Sequence, residues 1–542
     1  MPEKANELEP TGGAGEERSS LEAARAVVGE VRDFIRSHEQ RRHLLPRALM
    51  VGLLAGLVAV AFRWSLRAAD LLRERLTELA YGYPAWGWLL PMLYSAFGAA
   101  VSVWMVRRFA PETSGSGIPH LKAVLHRLRG MIGARIIAVK FLGGVTAIGG
   151  GLVLGREGPT VQMGGAAGQA VAQWFRSTPR ERQTLVAAGA GAGLAAAFNA
   201  PLAGLVFVLE ELQRDFSAGV FTAAFVAAVT ADIVARGLLG QLPVFHVTAY
   251  PIPPLASIPA FLVLGAVAGV LGVLFNRMLL RTLSFTQRTT SLAPAARAAV
   301  VGAGVGLVGW FAPEMLGGGH PLVEETLSGR VALALIPFYF VLRFVLTMVS
   351  YGTGAPGGIF APMLVLGAQV GLGVGLVADH VAPGMVGHPG AFAVVGMAAF
   401  FTAVVRAPLT GIVMIVEMTG SHEQMLPLLV ACLAAYGVAD LLGDRPVYEA
   451  LLERDLLRSQ SSPELEESLL VEMPLLPGAP FDGRKIRELG LPPGCLLITV
   501  RRGLRDIIPT AEMRLAAGDR LTAVVAPHAA DAVGSLRSGT GS

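Results

Sequence analysis

Charge is what this chain has least of. Asp, Glu, Lys and Arg make up 15% of its 542 residues against 53% hydrophobic ones, and the mean hydropathy is +0.56. A water-soluble globule carries more charge than that, so the solvent for most of this chain is lipid. Cysteine is almost missing: Cys432 sits in an apolar stretch and Cys495 in the tail, which excludes a disulfide framework and suggests no metal site. The chain has no Walker lysine loop, no His-Glu-x-x-His and no paired-cysteine spacing, and its ten histidines are scattered. No metal, no cofactor and no enzyme chemistry are expected. The net charge of +4 is not concentrated enough to suggest nucleic-acid binding. The first 20 residues are polar, rich in Gly, Glu and Ser, and lack the charged-then-apolar layout of a signal peptide; they read as a disordered lead.

What is present is a series of apolar stretches, among them Ala48 to Phe62, Ile258 to Phe275, Ala298 to Phe311, Ala391 to Val405 and Met425 to Leu442. These are candidate membrane spans. Several fall short of the roughly 20 residues that cross a hydrocarbon core, and 66 glycines interrupt the chain. The expectation is an all-α polytopic membrane protein of tilted, broken and re-entrant helices. Irregular backbone at membrane depth is tolerated where protein buries it or where it lines a cavity, so the breaks mark the transport route.

Four regions follow: a polar lead and helix over 1–44, with the helix around Leu21 to His43; a membrane body over 45–457; a linker over 458–467, jointed at Ser459-Gln460-Ser461-Ser462-Pro463; and a soluble tail over 468–538. The tail shows strand-like runs at Ser468 to Met473, Cys495 to Arg501 and Arg520 to Val525. Helical patterns lie at Gly483 to Leu489 and near Ala529 to Leu536, which makes it a small α+β domain. Arg41-Arg42-His43 and Arg47 precede the first long apolar stretch, which by the positive-inside tendency puts the N-terminus in the cytoplasm. An even number of crossings would put the tail there too.

Three glycine-rich breaks carry the chemistry: Gly115-Ser116-Gly117-Ile118-Pro119, Gly155-Arg156-Glu157-Gly158-Pro159 and Gly357-Gly358-Ile359-Phe360-Ala361-Pro362. Each precedes helix-forming sequence, so each can aim the free N–H groups of a helix N-terminus at one point, and such a point attracts anions. Glu157 alone reads as a helix-capping acid. In an apolar region, where an unpaired charge costs at least about 2.5 kcal/mol, a functional role becomes the default. As a carboxylate at a helix N-terminus it competes with a transported anion, and protonation would release the site. Ser116 either caps the following helix or donates its hydroxyl to an anion without bringing a cation that would trap it. Ile359 and Phe360 would contribute backbone N–H groups. Tyr448, after Pro446, is an interfacial tyrosine or a phenolic donor to the same point. The Glu210-Glu211 pair ends an apolar helix, Pro201 to Leu212; adjacent residues face different ways, so at most one need point inward, as a solvated helix end or as a proton acceptor feeding Glu157. Gly189-Ala190-Gly191-Ala192-Gly193 reads as close helix packing, since no βαβ unit surrounds it.

Taken together, and joined by Ala195-Ala196-Ala197-Phe198-Asn199-Ala200-Pro201-Leu202-Ala203-Gly204 and by Gly354-Ala355-Pro356, these motifs resemble the CLC family of chloride channels and proton-coupled chloride transporters from about residue 45 to 455. The resemblance implies a homodimer with a pore in each subunit, built from two inverted halves. It implies that Ser116 and Tyr448 coordinate a central anion with the Ile359 and Phe360 amides, that Glu157 is the gate and that Glu211 is the inner proton glutamate. The glutamate at that inner position resembles exchangers rather than channels, and Ser116 resembles chloride-preferring members. The implied function is chloride/proton antiport in a bacterial-type plasma membrane, in contact with lipid. A passive chloride channel and a membrane-anchored sensor remain alternatives. Within the tail, Gly478-Ala479-Pro480-Phe481-Asp482-Gly483, Leu491-Pro492-Pro493-Gly494-Cys495 and Ala517-Gly518-Asp519-Arg520-Leu521 resemble the C-terminal regulatory (TrkA-C) domain of potassium-uptake regulators. This implies an unidentified small-molecule regulator or a dimer contact, with a passive assembly role as the alternative.

Overall fold

The computed structural model describes residues 13–458 and 469–541, apart from residues 84, 215, 242–243, 246–249, 289–291, 330, 385, 504, 527–528 and 530–531. The helices of the body run in the order α1 (Gly13–Tyr81), α2 (Leu89–Phe109), α3 (Ile118–Leu125), α4 (Gly133–Gly149), α5 (Glu157–Trp174) and α6 (Pro179–Phe198). Next come α7 (Pro201–Phe207), which continues as a π-helical turn over Val208–Gln213, then α8 (Ala218–Leu239), α9 (Ile258–Arg288), α10 (Pro294–Phe311) and α11 (His320–Leu327). The body closes with α12 (Ile336–Gly352), α13 (Phe360–Val381), α14 (Pro389–Val405), α15 (Pro408–Thr419), α16 (Met425–Leu441) and α17 (Val447–Arg458).

Six of these helices are long and apolar enough to cross a membrane, and four more are apolar but shorter, which makes this a polytopic membrane protein. All five apolar stretches expected from the sequence fall on helices. The polar lead differs from expectation where it is described: residues 13–20 already belong to α1, which runs on past Pro46 without interruption. The reason is local, because Glu16-Glu17-Arg18 and Leu21-Glu22-Ala23-Ala24-Arg25 are strong helix formers. Residues 1–12 and the Ser459 to Pro463 joint lie outside the described residues.

Helix packing in the body rests on backbone contact. A methyl group added at Gly164 would lie 2.2 Å from the Gly189 carbonyl, and one at Gly189 would lie 2.2 Å from the Gly164 carbonyl, so α5 and α6 touch main chain to main chain. The Gly189 to Gly193 run is thus a packing face, as its apolar surroundings suggest. The same arrangement recurs between α13 and α14, where Gly367 and Gly396 face each other's carbonyls at 2.5 and 2.3 Å from the added methyls.

That recurrence is one sign of two inverted halves. Phe109-Ala110-Pro111-Glu112-x-x-Gly115-x-Gly117-x-Pro119 has a counterpart in Phe311-Ala312-Pro313-Glu314-x-x-Gly317-x-Gly319-x-Pro321. Both are 3-10 turns leading to an eight-residue helix, and the glycines hold left-handed φ values of 62° and 83° in one half and 58° and 80° in the other. Ala200-Pro201-Leu202 and Ala407-Pro408-Leu409 open α7 and α15, each after a left-handed residue, Asn199 or Arg406. The two helices cap each other. Glu417 of α15 accepts from the Leu202 and Ala203 amides (3.1 and 2.8 Å), and Glu210 accepts from the Leu409 and Thr410 amides (3.1 and 2.7 Å). A carboxylate at a helix N-terminus stabilises the free N–H groups there, so each half terminates the other.

The tail has its own core of Met473, Leu475, Phe481, Leu497, Val500 and Leu521, among others. Its strands are β1 (Leu469–Pro474), β2 (Cys495–Arg502), β3 (Arg505–Ile507) and β4 (Arg520–Val525), and α18 spans Ala532–Thr540. The antiparallel sheet has the order β1-β4-β2-β3. Three strands match the expected runs. Strand β3 was not expected, being only three residues long, and the helical pattern at Gly483 to Leu489 is a single 3-10 turn over Ile486–Glu488.

Candidate functional site

The three glycine-rich breaks meet. Gly155 and Gly358 exchange two backbone hydrogen bonds of 2.7 Å, and the Gly357 amide donates to the Gly115 carbonyl at 3.1 Å. A methyl at Gly158 would lie 2.8 Å from the Ser116 carbonyl oxygen, 2.9 Å from Ser116 Oγ and 3.1 Å from Gly358 Cα, so one atom's width separates all three. Their glycines are what allows this approach.

Each break delivers its group by its own geometry. In the first, Gly117 precedes α3 at φ 83°, and a methyl there would collide with Gln162 Oε1 at 2.2 Å. This turn leaves Ser116 buried, with its hydroxyl making no hydrogen bond. In the second, α5 opens at Glu157, whose side chain is fully buried with neither oxygen hydrogen-bonded. Its Oε2 lies beside Gly155 Cα at the first turn of α13, where Ala361 N is also close. Arg156 Nε stands 3.9 Å from Glu157 Oε1. In the third, the Phe360 ring packs against Phe401 at 4.7 Å, Phe198 at 6.0 Å and Phe207 at 6.1 Å. That clamp fixes the start of α13, whose first amides lack helical acceptors. Ile359 and Phe360 are fully buried.

Tyr448, the second residue of α17, is fully buried with its hydroxyl unpaired, and that hydroxyl lies close to Ser116. Uncapped hydroxyls on two separate elements, an unbonded carboxylate and free helix amides therefore share one enclosed place. Buried polar atoms are ordinarily paired, so this concentration of unpaired ones calls for a partner. The donors suit an anion.

Two cavities lead to this place. One of about 920 Å³ is lined by Arg63, Arg67, Asp70, Arg73, Arg156, Glu157 and His320 and ends at Glu157. The other, about 560 Å³, is lined by Glu112, Ser116, His120, Tyr351, Arg454 and Asp455 and ends at Ser116. Glu157 and Ser116 thus stand between two vestibules, and neither vestibule reaches through.

Glu210 and Glu211 divide as their adjacency predicts. Glu210 is the cap on α15, whereas Glu211, on the π-helical turn, is buried and paired with Lys122 Nζ of α3 at 2.6 Å. Sequence reasoning missed Lys122. It also missed Lys140, a fully buried ammonium on α4 that donates to the Thr113 and Gly115 carbonyls at 2.9 and 2.6 Å and so holds the Ser116 turn. An ionisable residue within the apolar run Ile136-Ile137-Ala138-Val139-Lys140-Phe141 was the available signal. Tyr351 of α12, which accepts from the Ser116 amide at 3.4 Å, gave no such signal.

Residues 97–440 match the family described as voltage gated chloride channel, and residues 470–537 match the TrkA-C domain. An H(+)/Cl(-) exchange transporter ClcA from Vibrio parahaemolyticus is 41% identical over 435 residues, covering 78% of this chain and 93% of the relative. The ClcA of Klebsiella pneumoniae is 40% identical over 439 residues, covering 80% of this chain and 93% of that one. Among solved structures, a slow cyanobacterial Cl-/H+ antiporter superposes with a TM-score of 0.75 at 36% identity, covering 77% of this chain and 99% of its own. A eukaryotic CLC transporter gives 0.66 at 25% identity, covering 80% of this chain and 78% of its own. With its inverted halves, its converging helix starts and these matches, the chain belongs to the voltage-gated chloride channel (CLC) family and carries a TrkA-C domain at its C-terminal end.

Proposed function

We propose that the chain exchanges chloride for protons across a bacterial-type plasma membrane, with Glu157 as the gate and Glu211 as the proton acceptor on the Ser116 side. One observation carries the reading: an unbonded, fully buried carboxylate occupies the start of α13, where the helix field equally favours a free anion. Ionised, Glu157 fills that place. Protonated, it loses its attraction to the amides and swings into the 920 Å³ vestibule, and chloride takes the seat. The hydroxyls of Ser116 and Tyr448 and the amides of Ile359 and Phe360 then hold the ion through neutral donors, which permits release. The proton returns by way of Glu211. Gly115, Gly117, Pro119, Gly155, Arg156, Gly158, Pro159, Gly357, Gly358 and Pro362 keep the three breaks in place. The exchange activity in the names of the ClcA relatives and of the cyanobacterial antiporter supports this assignment.

The protein further acts as a homodimer with both termini in the cytoplasm, and its TrkA-C domain answers to an unidentified small-molecule regulator. A passive chloride channel is the second reading, favoured by Lys122, whose 2.6 Å contact engages the Glu211 carboxyl that a proton relay would need free. Reconstituted vesicles separate the two. With a chloride gradient imposed, uphill proton movement is expected; chloride flux without it would establish the channel.

A further inference from the structure

The Tyr448 hydroxyl is buried and unpaired, so its place is set by the backbone that carries it: the connection from Leu442 to Pro446 and the first turn of α17. One side chain of α9 holds that connection. Asn276, 1% exposed in the apolar run Val273-Leu274-Phe275-Asn276, donates from Nδ2 to Asp444 Oδ2 at 2.8 Å and to the Arg445 carbonyl at 3.3 Å. Tyr448 follows Arg445 by three residues.

The same amide reaches the opposite wall of the site. Its third contact is the Val404 carbonyl at 3.2 Å, in the last turn of α14. That helix also carries Phe401, whose ring packs on Phe360 at 4.7 Å and steadies the start of α13. Beside Asn276, Phe275 meets Phe400 of α14 edge-on at 5.8 Å, which joins α9 to α14. Charge fastens Asp444 further: Arg277 Nε and Arg406 Nη2 stand 3.7 and 4.0 Å from its oxygens, and Arg406 is the left-handed residue before α15. Asn276 Oδ1 accepts nothing, so its two N–H groups are the whole of its polar contribution.

We infer that Asn276 is a positioning residue for the central anion: it ties the start of α17 to α14 and so fixes how far the Tyr448 hydroxyl stands from the Phe360 amide. This rests on the reading above, in which those two groups hold chloride. Neutral donors on separate elements grip one ion only if their separation matches it, and a displacement of about 1 Å is enough to lose a hydrogen bond. Asn276 acts through backbone, at both of its ends.

Chloride binding by calorimetry on the full-length, detergent-solubilised protein tests this. Tyr448→Phe removes the hydroxyl and is expected to weaken binding about twenty-fold, the worth of one hydrogen bond to a charged group. Asn276→Leu only displaces it, for an expected loss of about five-fold. The double variant should then bind no more weakly than Tyr448→Phe, because a hydroxyl that is gone cannot be misplaced. Asp444→Ala removes the shortest of the three contacts from the other side and should reproduce the Asn276→Leu loss, so the test stands even where the leucine variant does not fold. Unchanged affinity in Asn276→Leu or Asp444→Ala, or a double variant weakened by the product of the two singles, would overturn the assignment. If Tyr448→Phe binds chloride like the parent, the Tyr448 reading itself falls. Positioning is then decided by fluorine NMR of protein carrying 3-fluorotyrosine: the resonance that Tyr448→Phe deletes is expected to move in Asn276→Leu, and its staying in place would overturn the clamp.

Discussion

The Lys122–Glu211 pair allows a prediction worked from geometry. The two side chains are 4% and 1% exposed and their charges meet at 2.6 Å. At an effective dielectric constant near 20, that contact is worth about 6 kcal/mol of Coulomb attraction, most of which offsets the desolvation of both groups. Removing one partner leaves the other charge buried and alone. Lys122→Met and Glu211→Gln should therefore each destabilise the protein by about 3 kcal/mol or more, while the double variant, neutral on both sides, should return to within about 1.5 kcal/mol of the parent. Thermal unfolding of the four detergent-solubilised proteins, read as loss of the monodisperse species, completes the double-mutant cycle. A double variant as unstable as the sum of the singles would refute the coupling. The same proteins in vesicles address the mechanism: Glu211→Gln should keep chloride flux and lose proton movement, and retained pumping would remove Glu211 from the relay.

Other substitutions probe the site and the tail. Glu157→Ala empties the start of α13 and should leave an ungated, proton-independent chloride path; persistent coupling in flux assays would contradict the gate. Gly158→Ala would place its methyl 2.9 Å from Ser116 Oγ and 2.8 Å from the Ser116 carbonyl, so chloride binding measured by calorimetry should weaken by at least ten-fold, at a stability cost of about 1–3 kcal/mol. In the tail, burial pushes the Asp519 carboxyl up, yet the Arg502 guanidinium and the Ala516 amide outweigh it and hold it below the usual carboxylate range. A depressed folded-state pKa contributes stability that is present above the unfolded value, about 3.9, and lost as pH falls through the folded one. Asp519→Asn should thus lower the tail's stability at pH 7 and make it less sensitive to acid below about pH 4, as followed by hydrogen exchange in the tail segments.

The glycine breaks were legible because their chemistry is local. A run such as Gly155-Arg156-Glu157-Gly158-Pro159 in apolar sequence announces a helix start and an uncompensated carboxylate by itself. The division of labour between Glu210 and Glu211 was half legible: their adjacency predicts that they face different ways, but which one turns inward depends on a π-helical turn and on Lys122, 89 residues away. The chain's residue order likewise carries the repeat Phe-Ala-Pro-Glu-x-x-Gly-x-Gly-x-Pro twice, and the fold gives both copies the same 3-10 turn, left-handed glycines and eight-residue helix. Where sequence reasoning erred, as in the 13–20 lead, it gave polarity more weight than the helix propensity of Glu, Arg, Leu and Ala.

Composition, hydropathy and short-range turn chemistry were enough to set the solvent, the helical class and the three anion-attracting helix starts, since each depends on neighbours within one turn. Tertiary structure alone decided that Gly155, Gly358 and Ser116 meet, that Glu210 and Glu417 cap each other's helix, and that Lys122 claims Glu211. Those pairings join residues from 39 (Gly155 and Ser116) to 242 (Gly358 and Ser116) positions apart, and a contact across such a loop is fixed by how backbones pack at their glycines, which no local pattern of residues encodes.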